Sequence, residues 1–187
     1  MPPADAPHGS TRATPRLLLA AAALLLVARV VVSVMQPPPA RPAGDSGPVV
    51  ERVHWVPIAE AEQLSRRTHR PVLYDFSAEW CGPCRMMARD VFADPMAARQ
   101  LERAFVPVRV LDRQREEGRN APEVAALQQR FGVSGFPTLV VAMPGAAAFE
   151  RTSGYGGREA TLQWLGSSAK TEAERAGQTP DTTQIGD

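Results

Sequence analysis

Two cysteines separated by a Gly-Pro pair, at the join between an apolar strand and a helix, constrain this chain more than any other feature. Trp80-Cys81-Gly82-Pro83-Cys84 holds the only two cysteines among 187 residues. Upstream, Pro71-Val72-Leu73-Tyr74-Asp75-Phe76-Ser77 reads as a short buried strand. Downstream, Arg85 to Phe92 combines helix formers with an apolar stripe. The first turn of a helix has backbone N–H groups without intrahelical partners, and its macrodipole is positive there. A thiolate at that point is stabilised relative to the thiol. Cys81 is therefore expected to be an exposed nucleophile. Cys84, one turn further in, points back to the same end and can close a disulfide with it. Pro83 suits the first helical turn, where its missing N–H would lack a partner anyway.

Two other uses of such a pair stand beside redox chemistry: purely structural cysteines, or half of a zinc site. A structural zinc normally takes four ligands, and His8, His54 and His69 have no suitable spacing. The cysteine spacing thus favours a redox pair, with no metal and no cofactor required. Lys+Arg 21 against Asp+Glu 20 leaves a net charge of +1, so no basic excess points to nucleic acid.

Residues 1–16 are polar and proline-rich, with Arg12 and Arg16 near the end. Residues 17–35 form an apolar run interrupted by Arg29. A helix over it is just long enough to span a bilayer, which needs about twenty residues. Three readings compete: an uncleaved signal anchor, a cleaved signal peptide, and an unstructured N-terminus. The arginines before the run fit an anchor under the positive-inside rule. The lack of a small-residue cleavage site just after the run also favours the anchor. No cysteine follows the run to carry a lipid. Arg29 is tolerable near one end of a span, where it can snorkel. The stretch 36–48, rich in proline, reads as an extended linker.

A folded domain is expected over 49–168. Val53, Trp55, Val56 and Ile58 offer a short strand and an apolar anchor, and Pro57 to Arg67 a helix. After the strand at Val72 to Ser77 and the cysteine turn, Asp94-Pro95 reads as an N-cap followed by proline at the first helical position. That helix covers Met96 to Arg103. Strand Phe105 to Leu111 ends at Asp112. Arg113 to Asn120 is a charged loop, either solvated or partner-recognising. Helix Pro122 to Phe131 stops at Gly132. Leu139 to Ala142 and Ala148 to Thr152 pair about a turn at Pro144-Gly145. A last helix covers Arg158 to Gly166, and 169–187 is expected to be a polar, disordered tail. Alternation of this kind argues for an α/β fold with a central mixed sheet flanked by helices.

With Cys81-Gly-Pro-Cys84 after a strand and Gly135-Phe136-Pro137-Thr138 before one, the stretch from Trp55 to Gly166 resembles a thioredoxin-fold protein. Asp75-Phe-Ser-Ala-Glu-Trp-Cys-Gly-Pro-Cys84 is close to thioredoxin's own active-site strand and turn. Trp55, the helix before Pro71, the Val91 to Pro95 segment and the long loop after Asp112 are more similar to membrane-tethered or periplasmic thioredoxin-like domains, including the C-terminal domain of DsbD. The resemblance implies that Cys81 attacks, Cys84 resolves, and Asp75 exchanges the Cys84 proton. It implies a cis-proline turn at Phe136-Pro137 and a substrate groove involving Trp80, Gly82, Pro83, Phe136, Pro137 and Tyr155. Two positions depart from the family pattern. Arg89 stands where thioredoxin has a helix-kinking proline, and Val108, with Arg109 beside it, where thioredoxin has a buried lysine.

Elementary physics bears on these roles independently. A carboxylate in an apolar strand is costly without a partner, and burial raises its pKa, which would suit Asp75 as a base. A strand-end residue bonded to backbone is the alternative for Asp75, ordinary core packing for Trp80, and an ordinary loop proline for Pro137. The function expected is thiol–disulfide exchange with disulfide-bearing protein substrates. The Gly-Pro dipeptide resembles that of reductases. A domain in the oxidising periplasm, anchored to the inner membrane by 17–35 or released there as a soluble protein, would then need a membrane electron donor. The competing function classes are a tethered module that holds a client in the same groove without turnover, and metal delivery through the two thiols.

Overall fold

The computed structural model describes residues 49–177. The expected N-terminal segment, apolar anchor and linker at 1–48 lie outside the described residues, as does the tail from 178. Among the described residues no helix is long and apolar enough to cross a membrane.

The elements in order are α1 (Ile58–Thr68), β1 (Val72–Ala78), α2 (Gly82–Met87), a π-helical stretch (Ala88–Phe92), α3 (Pro95–Ala104), β2 (Val106–Asp112), α4 (Gln114–Glu117), α5 (Pro122–Arg130), β3 (Thr138–Ala142), β4 (Phe149–Ser153) and α6 (Arg158–Arg175). The sheet order is β2-β1-β3-β4. β1 pairs with β2 in parallel and with β3 antiparallel, and β4 runs antiparallel to β3. The mixed sheet is the one the alternation of elements predicts.

Every residue of β1 is buried, because helices cover both faces of the sheet. Side chains alternate across a strand, and the core divides accordingly. On one face Tyr74 and Phe76 pack with Val106, Val108 and Val110 of β2, Val140 of β3, and residues of α1 and α5. On the other, Leu73 packs with Leu139, Val141, Met87, Val91, Phe92, Leu101 and Leu165. Asp75 and Ser77 share this second face with Leu73. The helix carrying Cys84 therefore lies over the face of β1 that presents Asp75.

Several local expectations are met. Asp94 caps α3, its Oδ1 accepting from the N–H groups of Met96 at 3.0 Å and Ala97 at 2.7 Å. Gly132 adopts φ 60° after α5, where a Cβ would be strained.

Four expectations are corrected. Residues 53–58 form no strand. The segment runs past the free edge of β2 with one backbone bond to it, Val56 N–H to Pro107 O at 2.8 Å, too few for a ladder. The helix after Cys84 is not α-helical throughout. It widens at Ala88–Phe92, where the Ala93 N–H reaches back five residues to Ala88 O at 2.8 Å. The charged stretch after Asp112 contains the short helix α4. Finally, α6 continues beyond 168 to Arg175. Its last turns are polar in sequence, but Glu172 is buried and paired with Arg175, which also reaches Glu150 on β4 at 2.6 Å. Ion pairing replaces the apolar stripe that would have signalled a helix.

Candidate active site

β1 ends at Ala78, and the chain turns within three residues into α2. The Cys81 N–H donates to Ala78 O at 3.1 Å, and the Arg85 N–H donates to Cys81 O at 3.2 Å. Cys81 is thus the N-cap of α2, with Pro83 in the first turn. Its sulfur accepts the Cys84 N–H at 3.1 Å, one of the donors a helix start leaves free. Cys81 and Cys84 form a disulfide, so the molecule is in its oxidised state.

The surroundings of the disulfide differ from one expectation. Cys81 is not exposed in this state: it is 2% accessible, packed with Ala78, Cys84 and Phe136. The Phe136–Pro137 bond is cis, and Phe136 lies against the two cysteines. Thr138 pins this turn by donating from Oγ1 to Gly135 O at 2.8 Å. The exposed members of the motif are Trp80, 46% accessible, and Pro83. The Trp80 ring meets Phe136 edge-on at 5.9 Å, and the Arg115 guanidinium of α4 sits 5.0 Å above it. Arg113 pairs with Glu79 at 3.1 Å, so the charged segment after β2 borders the active-site turn. Over Gly82 the surface is open: an added Cβ would meet nothing nearer than Arg85 Nη2 at 4.0 Å.

Tyr155 sits further off. The Gly154 N–H before it donates to Pro137 O at 2.8 Å, but the Tyr155 hydroxyl donates to Asp90 Oδ2 at 2.7 Å on the π-helical stretch. Burial, with that bond to a carboxylate, raises the Tyr155 hydroxyl well above its ordinary pKa.

Asp75 is 1% accessible. Its register partners are Arg109 on β2 and Leu139 on β3. Arg109, not Val108, is the cation beside it. Val108 points into the opposite core layer, because neighbouring residues of a strand face opposite ways. Arg109 Nε lies 2.9 Å from Asp75 Oδ2. The N–H is not well aligned, so this is an ion contact rather than a directed hydrogen bond. Arg109 Nε, Asp75 Oδ1 and Ser77 Oγ are buried atoms without hydrogen-bond partners. Burial pushes the Asp75 carboxyl up to about 6. Arg109 opposes the rise and Glu51 adds to it. An acid with that pKa changes charge in the range where thiols exchange.

Arg109 is itself held. Nη1 donates to Glu51 Oε1 at 2.7 Å, and the Trp55 indole N–H donates to Glu51 Oε2 at 2.6 Å. The guanidinium lies 4.2 Å from the centre of the Trp55 ring, which meets Phe92 edge-on at 5.0 Å. Sequence reasoning did not assign Glu51 or Arg109 to the site. The available signal was Arg109 itself: like Asp75, it is a charge interrupting an apolar strand.

A family model described as a thioredoxin-like domain matches residues 58–169. The chain belongs to the thioredoxin-like family. Thioredoxin 1 of Chlorobaculum tepidum is 35% identical over 94 residues, covering 50% of this chain and 79% of that protein. The thiol:disulfide interchange protein DsbD of Haemophilus influenzae is 30% identical over 95 residues, 49% of this chain. That match spans only 15% of the length of DsbD. Among solved structures, a thioredoxin from Thermus thermophilus superposes with a TM-score of 0.54 at 32% identity. It covers 67% of this chain and 94% of that one. This thioredoxin-like domain keeps the strand, disulfide turn and cis-proline loop together at one end of its sheet.

Proposed function

We propose that this protein is a thiol–disulfide oxidoreductase that reduces disulfides in protein substrates. The observation that carries the reading is the Cys81–Cys84 disulfide on a helix N-terminus, over the strand face that bears a buried carboxyl of raised pKa. In the reduced protein the Cys81 thiolate attacks one sulfur of a substrate disulfide. A mixed disulfide forms, and the first substrate thiolate leaves and takes a proton from solvent. Cys84 gives its proton to Asp75 and attacks the Cys81 sulfur. The Cys81–Cys84 bond forms, the mixed disulfide breaks, and the second substrate thiolate leaves. Two electrons have then passed to the substrate, and a dithiol donor must restore the pair. Trp80, Gly82, Pro83, Phe136 and Pro137 form the surface on which substrate chain lies, with Tyr155 at its margin.

We further propose that residues 17–35 anchor the protein in the inner membrane with the domain in the periplasm, where a membrane electron donor keeps it reduced. The support is the apolar run after Arg12 and Arg16, with the partial likeness to DsbD. Acid-quenched thiol trapping on the full chain in intact cells tests direction, and a membrane-impermeant thiol reagent tests side. A mainly reduced pair reached by the impermeant reagent is the expected result. A mainly disulfide-bonded pair contradicts the reductase direction, and a pair labelled only after lysis contradicts the periplasmic location.

A further inference from the structure

The charged stretch after β2 is fastened from beneath by a buried carboxylate. Asp112 Oδ2 accepts from Asn120 Nδ2 at 2.6 Å and from Gln128 Nε2 at 2.7 Å, and Oδ1 accepts the Gln114 N–H at 3.2 Å. Asn120 Oδ1 in turn accepts the Arg113 N–H at 2.6 Å, and Gln114 Nε2 donates to Gly118 O at 2.7 Å. This network closes residues 113–120 on themselves and ties them to α5. The side chains of α4 are therefore carried on a fixed backbone. Two of the arginines here meet the active-site turn in different ways. Arg113 is neutralised, pairing with Glu79 at 3.1 Å and approaching Glu117 at 3.9 Å. Arg115 is exposed and has no carboxylate partner among the described residues; its guanidinium is 5.0 Å from the centre of the Trp80 ring. Stacking uses one face of a guanidinium and leaves its edge of N–H donors free. Arg85 on α2 is a second such cation. It is exposed, its Nη1 donates to Glu79 O at 2.7 Å, and its Nη2 is the atom nearest to a Cβ added at Gly82. It too has no carboxylate partner among the described residues. The surface of Trp80 and Gly82 is thus bordered by two oriented cations without counter-ions, while Glu79, the one carboxylate of the turn, is already engaged.

We propose that Arg85 and Arg115 are specificity-determining residues, selecting protein substrates that carry Asp or Glu beside the disulfide to be reduced. The inference rests on the oxidoreductase reading above and names a substrate class for it. In the mixed disulfide, substrate chain lies over Trp80, Gly82 and Pro83, and a carboxylate next to its cysteine comes within reach of a guanidinium edge. Both arginines are held before substrate arrives, so little side-chain freedom is lost on pairing. An arginine–carboxylate pair can also be bidentate, which adds geometry to charge. A lysine in the same place on the substrate meets like charges instead. Glu116 opposes this selection: it is exposed on α4 and has no ion-pair partner among the described residues.

The test uses the reduced full chain and two disulfide-bonded peptides that differ only in the residues flanking cysteine, Glu in one and Lys in the other. The readout is the ratio of their second-order rate constants. Each constant is divided by that of the same peptide with dithiothreitol, which removes the effect of the flanking charge on the leaving thiol. The wild type is expected to prefer the Glu peptide by about fivefold at low ionic strength, and by less at high salt. Arg115→Gln and Arg85→Gln each lower the ratio by about twofold, and the double variant brings it near unity. Glu116→Gln raises it. A residue that merely supports the fold would slow both peptides alike and leave the ratio unmoved. If one arginine variant fails to fold, the other and Glu116→Gln decide. A wild-type ratio near unity, or a ratio unmoved in every variant that folds, overturns the proposal. Failure to reduce either peptide is a different result: it overturns the oxidoreductase reading, and the selection with it.

Discussion

The two faces of strand β1 are buried alike but built from different chemistry. Tyr74 and Phe76 look into an aromatic layer, where Phe131 lies 5.2 Å from Tyr74 and 6.1 Å from Phe76, with Phe149 5.1 Å beyond. Among the described residues no buried, unpartnered polar atom lies in that layer. The opposite face presents Leu73, Asp75 and Ser77, and leaves Asp75 Oδ1 and Ser77 Oγ buried without hydrogen-bond partners. Unpartnered buried polar groups cost free energy. They are placed on the face that the active-site helix covers, and absent from the face that only holds the domain together. One strand thus has two unlike faces: an aromatic one closed by packing, and a polar one whose buried groups cost stability and which, in the proposed mechanism, carries the proton transfer.

Breaking the aromatic face gives the largest effect on folding. Phe76→Ala removes a fully buried ring and is expected to cost about 3–5 kcal/mol in urea unfolding.

Asp75→Asn sharpens the contrast, because it should stabilise the fold while slowing exchange. Asp75 has a folded pKa of about 6 against an ordinary 3.8. The folded state therefore holds the proton more tightly than the unfolded chain. Stability from this group is fully present below pH about 4 and is lost as pH rises through about 6. Asparagine imitates the protonated carboxyl, so its gain is near zero at pH 4 and about 3 kcal/mol at pH 7, from a difference of about two pKa units. Urea unfolding at the two pH values measures it. A variant less stable than wild type at pH 7 would place Asp75 among the stabilising groups.

Ser77→Ala gives the smallest effect. It deletes a buried hydroxyl without a partner, so unfolding is expected to show a gain of about 1 kcal/mol or no change. A loss of that size would mean the hydroxyl is satisfied in solution.

What was legible in the sequence was local. The strand–turn–helix around Cys81 and Cys84 is written in consecutive residues, as are the Asp94-Pro95 cap and the stop at Gly132. Asp75 stood out because a charge in an apolar run demands a reason. Arg109 interrupts an apolar strand in the same way, but its partner depends on register: only the parallel pairing with β2 sets it opposite Asp75 and turns Val108 away. Glu51 lies 58 positions from the arginine it holds, a distance no spacing rule covers. The missed end of α6 and the short α4 share a cause. Both are polar segments fixed by ion pairs and a cation–π contact, Glu172–Arg175–Glu150 in one and Arg113–Glu79 with Arg115–Trp80 beside the other. Hydrophobic periodicity gives no sign of such contacts.

The most direct test of the account is the reaction of the reduced full chain with a disulfide-bearing protein such as insulin, comparing Cys81→Ser with Cys84→Ser. The account predicts that Cys81→Ser is inactive and forms no adduct, while Cys84→Ser accumulates a mixed disulfide through Cys81 that a dithiol reductant releases. Full exchange activity in Cys81→Ser, or an adduct formed through Cys84 in that variant, would contradict it.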